Sequence, residues 1–141
     1  MTTPPLIELV EAPISIDETM RRVEDPGCGA FVVFSGTVRD EHHGKQVDRL
    51  EYSAYAPMAR AKMLEIAETA RERWPLRKVA IIHRLGTLEI GEMSILIILA
   101  LPHRKEGFAA LEYCIDRFKE IVPIWKKEHF TDGEAVWVEG S

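Results

Sequence analysis

The sequence predicts an α+β fold with a single domain spanning residues 1–141, hammered out of mostly antiparallel hairpins and three helices. The first observation behind this is the order of patterned segments, strand-helix-strand-strand-helix-strand-strand-helix-strand-strand. It inserts hairpin pairs among the helices instead of alternating one strand with one helix as a doubly wound parallel sheet does. The second is size: 141 residues, 46% hydrophobic and 29% charged, are enough for one buried core. The third is the absence of repeats, linkers or low-complexity stretches that would divide the chain.

Residues 6–10 (LIELV) read as a short strand, and Ser15-Ile16-Asp17-Glu18 fits a capping box opening a helix to about Val23, before Pro26, Gly27 and Gly29. Residues 30–38 (AFVVFSGTV) are β-branched and aromatic, hence a strand, with Arg39 at its end and a mobile polar loop at 40–46. Residues 47–54 alternate Val47, Arg49 and Glu51 against Asp48, Leu50 and Tyr52, which predicts a strand pairing back on 30–38 as a hairpin. Pro57 opens a second helix, with Met58, Met63, Ile66, Ala70 and Trp74 near helical spacing until Pro75. Strands at 78–85 and 93–101 follow, with 86–91 as a glycine-bounded turn. From Arg104 to Val122 the residues Phe108, Leu111, Ile115, Phe118 and Val122 recur at steps of three and four, a third helix ended by Pro123. Residues 124–130 and 135–138 flank Asp132-Gly133, a hairpin signal.

Charge and cysteine usage narrow the function. With 23 Asp+Glu against 18 Lys+Arg the formal charge is -5, which argues against a broad nucleic-acid or anionic-membrane face while leaving room for a local basic pocket. Two cysteines, Cys28 and Cys114, make neither a disulfide framework nor a structural zinc site within one chain. The start, Met1-Thr2-Thr3-Pro4-Pro5, carries no targeting pattern, and the apolar run at 95–101 is far shorter than the roughly 20 residues of a membrane span. Reducing cytoplasm is the expected setting.

Three basic groups are candidates for chemistry. Pro102-His103-Arg104-Lys105 falls in the first turn of the third helix, where cationic side chains oppose the dipole by about 0.3–1 kcal/mol each. A bound phosphate or carboxylate reverses that penalty; side chains pointing into water are the equal alternative. Lys119 lies beside Phe118 and over Ile115, and in the following strand Ile124, Lys126 and Glu128 share one side. Joined through Pro123, helix and strand bring two ammonium groups within reach of each other, and partly buried lysines serve as acid/base or covalent groups. On spacing alone, solvated lysines paired with Asp116 or Glu128 remain the simpler account. Arg39, where an apolar strand gives way to a loop, occupies a common ligand-binding position, though a lone arginine there is usually a surface charge. Cys114 reads as a buried small hydrophobe, Cys28 as a turn residue and His83 as structural. His42-His43 lacks the company that metal ligation needs, and no phosphate-binding loop, dinucleotide fingerprint or nucleophile elbow occurs.

These residues carry a family resemblance. Gly29-Ala30, Phe34-Ser35-Gly36-Thr37-Val38-Arg39, Leu50-Glu51-Tyr52 and Tyr55-Ala56-Pro57-Met58-Ala59 are followed by His83-Arg84-Leu85-Gly86, Ile90-Gly91-Glu92, His103-Arg104 and Phe108. The most specific stretch is Asp116-Arg117-Phe118-Lys119 leading into Val122-Pro123-Ile124-Trp125-Lys126-Lys127-Glu128. In this order they resemble the catalytic (large) subunits of molybdopterin synthase, the MoaE family, over nearly the whole chain. One departure is His42, at a loop position where the family more often carries Asn.

The resemblance implies an α/β hammerhead-like fold and a homodimer, each protomer binding a small ubiquitin-like sulfur-carrier subunit to give a heterotetramer. It implies a sulfurtransferase that converts cyclic pyranopterin monophosphate (precursor Z) to molybdopterin in molybdenum cofactor biosynthesis. Two dithiolene sulfurs arrive as thiocarboxylate on the carrier's Gly-Gly tail, with no cofactor or metal. By matching position, Lys119 and Lys126 resemble catalytic lysines. Arg39, His103 and Arg104 resemble the anion-binding set, with His103 and Arg104 supplied by the neighbouring protomer. Thr37 and Val38 lie beside that pocket, and Lys127 and Glu128 belong to the substrate-contacting segment. Two rivals are a non-catalytic module that docks a ubiquitin-like tail, and a phosphoesterase using His103, Arg104 and Lys119. The latter lacks an accompanying nucleophile or metal site.

Overall fold

A computed structural model describes residues 3–140. Along the chain run β1 (Leu6–Val10), α1 (Ile16–Arg22), β2 (Ala30–Thr37), β3 (Glu41–His42), β4 (Lys45–Ala54) and α2 (Ala56–Arg73). They are followed by β5 (Lys78–Arg84), β6 (Gly86–Glu89), β7 (Met93–Leu101), α3 (Gly107–Ile121), β8 (Ile124–Phe130) and β9 (Ala135–Glu139). Two sheets form: one in the order β1-β5-β7-β2, the other β3-β4-β8-β9 with β6 also on β4. Among the described residues only β1 and β5 run parallel; every other pairing is antiparallel. The mixed α+β class with three helices is therefore as expected.

Burial explains this arrangement. β7 is buried from Ser94 to Leu101, on both faces, so it belongs at a sheet centre, between β5 and β2. Met63, Ile66, Ala67 and Ala70 of α2 and Ala110, Cys114 and Phe118 of α3 pack into the principal core. A smaller cluster of Val23, Ala80, Leu96 and Ile98 lies apart from it. Ser15 caps α1, its hydroxyl accepting from the Glu18 N–H at 3.2 Å.

Several expectations are corrected. The 30–38 and 47–54 strands do not form a hairpin: β2 pairs with β7, and β4 with β8 and β6. Alternation identifies a half-buried strand without identifying its partner, and β4 instead turns back on β3. That turn has two left-handed residues, His43 (φ 53) and Gly44 (φ 78), as a tight two-residue hairpin requires. The segment expected as a mobile polar loop, 40–46, thus contains a β3–β4 hairpin, and the glycine-bounded 86–91 turn contains β6. A bulge at Asp48 sets Val47 against Phe130 and Arg49 against His129, placing Val47 among the buried residues with Leu50 and Tyr52. Met58 and Phe108 are exposed, with Ala59 and Ala110 buried instead, because the helix faces are rotated toward small residues at the close contacts. The third helix starts at Gly107, so His103, Arg104 and Lys105 lie in the bend before it and not in its first turn.

Candidate active site

A cleft of about 380 Å³ lies where β2, α3, β4 and β8 meet. Phe34, Ile95, Ile115 and Phe118 supply its apolar surface, and Arg39, Lys119 and Lys126 its cations. Each cation comes from a different element. Arg39 follows β2, whose end is held by Val38, its N–H donating to the Glu92 carbonyl at 3.0 Å and its own carbonyl accepting from Gly91 at 2.8 Å. Lys119 lies in the last turn of α3, where a cation is favoured by the helix dipole, next to Phe118 at 1% exposure. Lys126 lies on β8 directly across from Tyr52 of β4.

The connection between Lys119 and Lys126 is short and braced. Val122 caps α3 by donating to the Phe118 carbonyl, and Tyr55 donates to the Pro123 carbonyl at 3.2 Å, tying the turn to the start of α2. Strand alternation from Ile124 then aims Lys126 and Glu128 to one side, while Lys127 falls on the other, over the Trp137 ring at 5.6 Å.

A second bulge shapes the opposite wall. Gly36 pairs with Ile95 and Thr37 with Met93, leaving Ser94 as the extra residue. Adjacent residues that alternation would send to opposite faces, Gly36 with Thr37 and Ser94 with Ile95, consequently line one cleft. Gly36 is required by close approach: a Cβ there would lie 2.7 Å from Ile95 Cγ2.

Arg39, Lys119 and Lys126 have no carboxylate within ion-pairing distance among the described residues. The expected pairing of the lysines with Asp116 or Glu128 does not occur. Burial lowers the Lys126 pKa below the usual lysine range, and the positive charges of Arg39 and Lys119 push the same way against the opposing pull of Glu128. Burial also raises the Tyr52 phenol. A half-dry cleft with three unpaired cations is suited to an anion that brings apolar surface with it.

The structure thus gathers Thr37, Arg39, Lys119 and Lys126 and leaves the other sequence candidates outside the cleft of this single chain. Val38 is buried beneath it, and His103 and Arg104 are exposed in the bend after β7. Glu128 is buried at 4% exposure, accepting from His42 Nδ1 at 2.9 Å, a pairing that no sequence signal announced. The residues missed were Phe34, Gly36, Tyr52, Ser94 and Ile95. The alternation of Phe34 with Gly36 was a readable signal for that face; the bulge that brings in Ser94 was not.

His83 is fully buried behind the cleft, stacked on Phe118 (centroids 5.5 Å apart, 8°) and edge-on to Tyr52 at 4.9 Å. Its Nδ1–H donates to the Arg84 carbonyl at 2.7 Å, and burial lowers its pKa to about 4.

Comparison with known proteins follows the same lines. A sequence model of the family described as "MoaE protein" matches residues 9–121. The molybdopterin synthase catalytic subunit of a Nostoc species is 47% identical over 128 residues, 90% of this chain and 78% of that protein. The Bacillus subtilis protein of the same name is 44% identical over 131 residues, covering 93% and 83%. Among solved structures, molybdopterin synthase from Staphylococcus aureus superposes with a TM-score of 0.88 at 42% identity, covering 94% of this chain and 96% of that one.

Proposed function

The chain belongs to the MoaE family, and on that premise we propose that its cationic cleft is where a molybdopterin synthase catalytic subunit installs sulfur on a phosphorylated pterin. The protein is an enzyme of molybdenum cofactor biosynthesis, converting cyclic pyranopterin monophosphate to molybdopterin. One observation carries the assignment of the site: three cations from three elements, none of them ion-paired, face one cleft with an apolar wall.

The substrate combines a flat heterocycle with a phosphate. Phe34, Ile115 and Phe118 offer the apolar surface for the ring, and Arg39 the bidentate donor for the phosphate, each charge-assisted hydrogen bond contributing about 1.5–3 kcal/mol. His103 and Arg104 complete the anion site from the neighbouring protomer of a homodimer. Thr37 shapes the wall with Val38 supporting it from the core, and Lys127 and Glu128 extend the substrate-contacting strand.

The sulfur donor is the thiocarboxylate at the C-terminus of a small ubiquitin-like carrier subunit, two carriers and two catalytic chains forming a heterotetramer in the cytoplasm. The thiocarboxylate sulfur is itself the nucleophile. A carbon–sulfur bond forms as a carbon–oxygen bond at the same pterin side-chain carbon breaks, the oxygen leaving with a proton; water then hydrolyses the acyl–sulfur bond, leaving a thiol on the product and a carboxylate on the tail. Lys119 lies nearest the reacting carbons, moving protons and stabilising developing negative charge, and Lys126 holds the anionic intermediate. Burial lowers the Lys126 pKa below the usual lysine range, which favours proton exchange there.

The test mixes the chain with thiocarboxylated carrier and the pterin precursor and follows dithiolene product. Product formation supports the assignment. Carrier binding without product would make the chain a docking module, and phosphate release without sulfur donor would make it a phosphoesterase.

A further inference from the structure

We propose that His42 is a positioning residue for this site: by holding the Glu128 carboxylate, it keeps that carboxylate off Lys126 and leaves the lysine ammonium free for substrate. The inference rests on the proposed reading for what Lys126 does, and on geometry for the rest.

Glu128 and Lys126 lie two residues apart on the same side of β8, a separation of roughly 7 Å that flexible side chains bridge readily. They do not meet: no Lys126–Glu128 ion pair forms within 4.0 Å, although Glu128 is the carboxylate whose charge acts on Lys126. The reason is His42. Its Nδ1 lies 2.9 Å from one Glu128 oxygen and 2.8 Å from the other, and it is the one side chain among the described residues bonded to that carboxylate. His42 is carried on β3, a two-residue strand fixed to β4 by the tight turn at His43 and Gly44, and from there its side chain reaches Glu128 on β8, the strand on the other side of β4.

The surrounding charges give the pairing its consequence. Lys126 faces Arg39 from the end of β2, Lys119 from α3 and the Tyr52 phenol from β4, with Glu128 on its own strand. Glu128 is the only negative group in that set. Beside His42 stands the His43 ring, with centroids 4.0 Å apart, and across the hairpin Lys45, itself engaged by Asp132 and Glu134. If the His42 bond is lost, the nearest cation on the same side of β8 as the Glu128 carboxylate is Lys126.

The experiment reads Lys126 directly. Lysines of the full chain, with its carrier subunit, are reductively methylated with a 13C label, the Lys126 resonance is assigned by its loss in Lys126→Arg, and its titration midpoint is measured. His42→Ala should raise that midpoint by about one unit as the freed carboxylate pairs with the ammonium. His42→Asn, whose amide N–H sits where Nδ1 does, should restore it. In a Glu128→Gln background, His42→Ala should leave the midpoint where Glu128→Gln alone puts it. A midpoint that stays or falls in His42→Ala, a shift that persists without the Glu128 charge, or failure of Asn to restore it would each overturn the proposal. His42 is part-exposed on a hairpin and outside the apolar core, so its variants are expected to fold. Because the titration needs no turnover, a chain that fails in sulfur transfer but keeps the His42-dependent shift would refute the function and leave this coupling standing.

Discussion

At the scale of single residues, the cleft separates binding from chemistry. Lys119→Ala removes the group assigned to proton movement and should lower turnover by about 10²–10⁴ while carrier binding persists; single-turnover formation of dithiolene, with carrier affinity measured separately, checks both halves. Near-normal transfer would remove Lys119 from that role. Arg39→Ala removes a phosphate donor and should weaken pterin binding by about 1.5–3 kcal/mol, read by calorimetry. His83 acts on stability instead. Its folded pKa of about 4 lies below the ordinary 6.5, so between these values the unfolded chain takes up a proton that the folded chain refuses. The contribution of neutral His83 is complete above pH 6.5 and is lost as pH falls toward 4, by up to about 3 kcal/mol. Urea unfolding of His83→Gln across that range should show a flatter acid limb than the parent, whatever its overall stability.

At the scale of elements, the bulge between β2 and β7 decides what one wall of the cleft contains. Gly36→Ala would place a methyl 2.7 Å from Ile95 Cγ2 and should cost about 1–3 kcal/mol by overpacking. Shortening the neighbour with Ile95→Ala in the Gly36→Ala background should recover part of that loss in thermal unfolding, since it clears the clash; a double variant with the sum of both costs would count against it. These contacts also mark the limit of sequence reading. The helices and the long strands were legible because apolar period and caps are local: Ser15 caps α1, and Pro57 opens α2. Strand partnership was not, since residues 47–54 alternate equally well against β2 or β8. β3 and β6 are too short to carry a period at all. Likewise Lys119 and Lys126 were brought together by helix and strand geometry around Pro123, whereas Arg39 and the Ser94 bulge depend on which strands pair; for Arg39 the strand-end position raised the candidate and the family resemblance gave it a role.

At the scale of the whole molecule, the net charge of -5 and the cationic cleft are compatible because pairing sorts the charges. Outer arginines such as Arg22, Arg77 and Arg117 are each neutralised by a carboxylate, and the cleft cations are not. The same view covers sulfur. A chain that transfers sulfur through its own cysteine needs an exposed, acidified thiol. Here burial pushes Cys114 up to about 12, burial first and Asp25 second raise Cys28, and neither cysteine lines the cleft. This agrees with the proposed reading, in which sulfur arrives on a carrier's thiocarboxylate. Replacing both residues, Cys28→Ala with Cys114→Ala, tests this. Alanine suits the Cys114 site because a serine hydroxyl there would be buried without a partner. The double variant should fold with about 1–2 kcal/mol less stability, from the small void at Cys114. With thiocarboxylated carrier supplied, it should form dithiolene within about tenfold of the parent rate, a barrier change under about 1.4 kcal/mol. A folded double variant that binds carrier yet transfers no sulfur would show that a cysteine of this chain takes part, as by thioester exchange with the carrier tail that releases hydrosulfide, and would overturn the direct route.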